Sequence, residues 1–121
     1  MGKPLHPAKS NNITVLKMHG YIERVVAQQI EYVLDAAVDR HSYQIIVDLS
    51  EADYLSSSGW GMFIGELKRI RKGGGDLVLA GMQPSVLEIF ELLEFHRVML
   101  HYETVDQAIL AFEVVDAARP A

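Results

Sequence analysis

At 121 residues, with half of them apolar, 22% charged and a formal net charge of -5, the chain reads as one ordinary globular domain, long enough to bury a core. It has no cysteine, which excludes disulfides, thiolate chemistry and cysteine metal sites. The negative charge argues against nucleic acid as a partner, because phosphate binding needs a basic face.

The N-terminus has no apolar run, so no signal peptide is expected, and His6 stands where a myristoylation motif wants Ser or Thr. Residues 1–11 hold two prolines and part of a polar Ser10-Asn11-Asn12 stretch, and read as a loose tail. Ile13 to His19 reads as a strand, and Gly20 as a tight turn before an extended piece, Tyr21 to Glu23. From Arg24 to Arg40, Val26, Ile30, Val33, Leu34, Ala37 and Val38 recur at three-and-four spacing, the period of an amphipathic helix. Tyr43 to Leu49 is almost wholly apolar, as a strand covered on both faces should be.

A helix opening on Ser56-Ser57-Ser58 follows, with Trp60, Phe63, Ile64, Leu67 and Ile70 as its apolar residues. Lys68, Arg69, Arg71 and Lys72 suit its C-terminal dipole, and Gly73-Gly74-Gly75 stops it. Leu77 to Ala80 reads as a strand, and Pro84 starts a helix with Val86, Leu87, Phe90 and Leu93 on its apolar face. Arg97 to Tyr102 reads as a last strand, and Thr104-Val-Asp-Gln107 as a capping box opening a final helix. Alternating strands and helices imply an α/β domain over 12–115 with a mixed, largely parallel sheet of four to five strands and about four covering helices. Residues 116–121 should fray. The longest uncharged run, Tyr54 to Gly65, is too short and too rich in Gly and Ser to span a bilayer. No membrane insertion is expected, and the cytoplasm is the default location.

The most informative stretch is Asp48-Leu49-Ser50 running on to Ser56-Ser57-Ser58-Gly59-Trp60-Gly61. It places hydroxyls at a helix N-terminus, where backbone N–H groups lack partners and negative charge is favoured. One serine suffices as N-cap. Three serines beside two glycines, each costing about 1 kcal/mol in a helix, leave a surplus that capping does not explain. Trp60 can be core or an anchor for a partner.

Other chemistries fit less well. A nucleophile elbow would carry a glycine two residues before its serine, and His6, His19, His41, His96 and His101 show no supporting pattern. The triglycine follows a helix and precedes a strand, the reverse of a phosphate loop. Asp48 and Asp53 lack the acid pair and lysine of a receiver domain and read as loop and cap carboxylates. No catalytic residue, metal or cofactor is assigned.

The run from about Asn12 to Phe112 resembles the STAS domain of bacterial anti-sigma factor antagonists. Carrying the resemblance, in order, are Asp48-Leu49-Ser50, Ser57-Ser58-Gly59-Trp60-Gly61, the triglycine and Leu77-Val-Leu-Ala-Gly81. Gln83-Pro84-Ser85-Val86 and Phe90-Glu-Leu-Leu93 are also similar to the family's third helix. The resemblance implies a mixed sheet covered by helices and a non-enzymatic switch. Ser58, with Ser57 second to it, would be phosphorylated by an anti-sigma factor that is also a serine kinase of the histidine-kinase-like ATPase type. The unmodified protein would bind that kinase through Ser56, Ser57, Ser58, Gly59, Trp60 and Gly61, and a serine phosphatase would reset it. The chain departs from the family pattern at Ser56, in place of an acid, at Glu94-Phe95, in place of a glycine, and in Gly20-Tyr21-Ile22-Glu23. A non-switching scaffold, or an accessory subunit of a stress-signalling or lipid-transport complex, is the alternative.

Overall fold

The computed structural model describes the backbone of residues 5–7, 13–40 and 43–118, and the side chains of 13–40 and 43–114. In chain order come β1 (Leu5–Pro7), β2 (Ile13–Ile22), α1 (Arg24–Asp39), β3 (Gln44–Leu55), α2 (Ser57–Lys72), β4 (Asp76–Ala80) and α3 (Pro84–Leu92). A short 3-10 helix (Phe95–Arg97), β5 (His101–Tyr102) and α4 (Val105–Ala118) follow. The strands lie side by side in chain order, β1 antiparallel to β2 and every other neighbouring pair parallel. The α/β class and the mixed, largely parallel sheet are as expected.

Strand alternation divides the core into two layers. Ile45, Val47 and Leu49 of β3 and Leu77 and Leu79 of β4 face Ile30 and Leu34 of α1, Phe63, Leu67 and Ile70 of α2, and Phe90 of α3. Ile46, Val78 and Ala80 point the other way, against Ala108 and Phe112 of α4. Each fully buried large side chain contributes about 1.5–3 kcal/mol, so the three-helix layer holds most of the stability. The capping box forms at α4: Thr104 Oγ1 accepts from the Gln107 N–H at 3.1 Å, and Gln107 Oε1 accepts from the Glu103 N–H at 3.1 Å.

Several local expectations need correcting. Leu5–Pro7, assigned to a loose tail, pairs with Thr14–Leu16, and this antiparallel strand is what makes the sheet mixed. The rest of that tail and Ser10-Asn11-Asn12 lie outside the described residues, as do 119–121 at the other end, where α4 runs to Ala118. Gly20 does not turn the chain back. It sits at φ +69 beside a register shift within one continuous strand, because β2 must be re-aligned to stay paired with β3 as far as Ile22↔Leu55. β3 itself runs past Leu49 to Leu55, so Asp48 and Asp53 are strand carboxylates. The stretch 97–102 forms only a two-residue strand, since residues 95–97 wind into the 3-10 helix.

Between α1 and α2 lies Glu66, only 3% exposed, flanked by Asp35 and Arg69. Arg69 Nη1 donates to both Glu66 oxygens, at 3.1 and 3.3 Å, and to Asp35. Burial, reinforced by the Asp35 charge and only partly offset by Arg69, pushes the Glu66 carboxyl up to about 7. In the unfolded chain the same group ionises near 4.5. The folded state therefore holds a proton that the unfolded state releases, and Glu66 loses its stabilising contribution as pH rises from 4.5 towards 7. The Glu66→Gln variant should gain stability relative to wild type across that window, by up to about 3 kcal/mol, and the gain should level off above it. Urea unfolding of both proteins at intervals of pH checks this, and a constant difference would refute it.

Glu94, one of the Glu94-Phe95 pair around which the resemblance would place a glycine, sits at φ 60, ψ 29 in the left-handed region. A side chain there costs about 1 kcal/mol relative to glycine. Its exposed ion pair with Arg97, at 2.7 Å, returns little. Glu94→Gly should therefore raise the thermal midpoint by roughly 4 °C in calorimetry.

Candidate functional site

The serine triplet owes its position to the unequal lengths of the strands. β3 pairs with β4 only as far as Asp48↔Ala80, whereas β2 and β3 stay paired to Ile22↔Leu55. The resulting two-stranded projection delivers the chain into α1 on one side and α2 on the other. The Ser56 N–H donates to the Ile22 carbonyl at 3.0 Å, and the Ser56 hydroxyl accepts from the Gly59 N–H at 3.2 Å. Ser56 is thus the N-cap of α2. Ser57 and Ser58 occupy the next two positions and are exposed.

The two glycines differ in their reasons for being there. A Cβ on Gly59 would lie 3.1 Å from the Ile22 carbonyl oxygen and 3.5 Å from Leu55 Cβ, so this residue serves close packing of the helix on the strand ends. A Cβ on Gly61 would meet nothing within 4 Å, and Gly61 is exposed. Nothing among the described residues explains that glycine.

Trp60 does not form part of this surface. It is 4% exposed, with its ring centroid 5.1 Å from that of Phe95 and 5.9 Å from that of Phe90. The expectation that it anchors a partner is corrected: at the fourth position of α2 its side chain turns inward onto α3 and the 3-10 helix. Gly59 is buried as well. The surface that remains consists of Ser57, Ser58 and Gly61, with the partly exposed Ser56 at its edge.

Sequence reading missed the neighbours of this surface. Tyr21 and Tyr54, opposite one another in the β2–β3 register, are 64% and 46% exposed with ring centroids 6.0 Å apart. They lie beyond the end of β4, on the stretch of β3 past Leu49 that extends the strand to Leu55 and on the partner end of β2. Between the first turns of α1 and α2 lies a groove of about 270 Å³, lined by Arg24, Ala27, Gln28, Glu31, Ser58 and Met62. Among the described residues no histidine lines it. Lys17 and His19 are drawn instead to Glu51, at 3.0 and 2.7 Å, and His101 packs on the Phe90 ring. Among the described residues no cluster of His, Asp or Glu could hold a metal ion, and no helix is long and apolar enough to cross a membrane.

A sheet with helices on both faces, and an exposed serine pair at the start of its second helix, define a small α/β module. The STAS domain model matches residues 6–108, and the chain belongs to that family. It is 30% identical over 105 residues to BtrV of Bordetella bronchiseptica, a candidate anti-sigma factor antagonist, covering 87% of this chain and 90% of that protein. An anti-sigma F factor antagonist of Paenibacillus polymyxa is 22% identical over 104 residues, covering 85% of this chain and 89% of its own. Among solved structures, a candidate anti-sigma factor antagonist of Thermotoga maritima superposes with a TM-score of 0.82 at 20% identity, covering 89% of this chain and 92% of its own. Phosphorylated SpoIIAA of Bacillus does so with 0.70 at 19%, covering 89% and 96%. Those two likenesses concern the fold.

The glycine pair gives a direct check on this account of the site. Gly59→Ala should destabilise the domain by about 1 kcal/mol or more, although alanine is the better helix former, because the Ile22 carbonyl stands in the way. Gly61→Ala should stabilise it by up to about 1 kcal/mol. Chemical denaturation separates the two, and equal signs would contradict the packing described.

Proposed function

We propose that this protein is an anti-sigma factor antagonist, a binding protein that sequesters an anti-sigma factor with serine kinase activity while Ser58 is unmodified. The observation that carries the reading is the division of labour in the triplet. Ser56 caps α2, which leaves Ser57 and Ser58 exposed beside a glycine that the domain does not need. A partner backbone can approach closely at Gly61, and the Ser58 hydroxyl is open to a kinase.

In the switch, the γ-phosphoryl group of ATP passes to Ser58 Oγ, the hydroxyl proton leaves to the kinase and ADP departs. The phosphate brings a charge of about −1.5 to −2 at neutral pH. At a helix N-terminus the domain tolerates it. In an interface closed over a neutral hydroxyl, the same charge has to be desolvated or repelled. A penalty of about 3 kcal/mol lowers affinity roughly a hundredfold, enough to send the partner to a competing sigma factor. A serine phosphatase restores the binding form.

Calorimetry with the cognate kinase tests this. Ser58→Ala should bind about as well as wild type, and Ser58→Asp roughly ten- to a hundredfold more weakly. Equal affinities would refute the switch and favour a fixed scaffold, a role that a neutral Ser56 in place of the family's acid would suit.

A further inference from the structure

We propose that Arg24 is the intramolecular counter-ion of Ser58 once that serine is phosphorylated, an inference that rests on the reading of Ser58 as the modified residue. Arg24 and Ser58 line one groove from opposite walls, the first residue of α1 facing the second residue of α2. The groove, about 270 Å³, is large enough for a phosphoryl group. Arg24 is exposed and, among the described residues, makes no ion pair, unlike Arg69, Arg71 and Arg97. Its guanidinium is free to swing.

The groove's other charged group is Glu31 on α1, one carboxylate against a phosphate that approaches two charges at neutral pH. A guanidinium choosing between them favours the phosphate, whose oxygens also accept two parallel N–H bonds. Gln28 adds an amide donor on the same wall. Phosphorylation thus ties the first turns of α1 and α2 together, and draws to the modified serine a cation that the unmodified protein leaves exposed.

The test uses full-length protein with phosphoserine genetically encoded at position 58, so that no kinase is required. Phosphorus NMR then follows the second ionisation of the phosphate in wild type, Arg24→Lys and Arg24→Ala. An arginine counter-ion should hold that ionisation about 0.5–1 unit below its position in Arg24→Ala, with Arg24→Lys between them. The gap should narrow as salt is added. Identical titrations in all three proteins would overturn the pairing. A kinase that ignores Ser58 would overturn the functional reading instead, and leave this titration to stand or fall by itself. Arg24 is exposed at a helix start, so circular dichroism should show all three proteins folded alike.

Discussion

The close approach of Gly59 to the Ile22 carbonyl is the contact on which the rest of the site depends. It requires β2 and β3 to remain paired beyond the end of β4, and β2 achieves this with register shifts near Met18 and at Gly20. Once the two strands end level, Arg24 begins α1 two residues after Ile22 and Ser57 begins α2 two residues after Leu55. Two helix N-termini are thereby set side by side. The groove between them, which Arg24 and Ser58 both line, is a consequence of strand length rather than of a dedicated loop.

The seat beneath this surface is aromatic. Trp60 packs on Phe90 and Phe95, and Phe90 in turn meets the His101 ring in a T-shaped contact at 5.0 Å, so the first turn of α2, the last turn of α3, the 3-10 helix and β5 share one cluster. The Trp60 Nε1–H lies within it with no hydrogen-bond acceptor among the described residues. An orphaned buried donor costs about 1–3 kcal/mol, a sum that the area of an indole in contact with two rings offsets. The exposed serines therefore stand on a buried aromatic base.

Much of this was legible in the sequence because it rests on local rules. Helical periodicity located α1, the Pro84 start located α3, and Thr104 and Gln107 announced the cap of α4, all signals carried within a few residues. The serine-led start of α2 was legible for the same reason. What escaped reading depends on partners distant in sequence. Nothing local tells Ser50–Leu55 to remain extended, since the stretch is polar and acquires its strand geometry by pairing with His19–Ile22. Leu5–Pro7 likewise becomes a strand only because Thr14–Leu16 offers an edge. Trp60 was ambiguous because a residue near a helix mouth can face either way. Only the placement of α3 and the 3-10 helix decides it.

The charges along α2 give the site its direction. Arg69, Arg71 and Lys72 fill the last turn, where they complement the negative end of the dipole, yet the first turn has no acidic residue. Ser56 caps that end with a neutral hydroxyl where the family's pattern would bring a carboxylate. The positive pole of the helix is left without a fixed anion in its first turn, while its negative pole carries three basic residues, two of them also paired with carboxylates. An Asp at the same place would cap equally well and add favourable charge, so stability alone does not explain the serine. An uncompensated N-terminus makes the domain responsive to any negative charge that arrives there, whether from a partner's carboxylate or from a phosphate on the domain itself. Those two anions would compete for one pole, and that competition is a physical basis on which modifying a serine at this end of α2 can change who is bound.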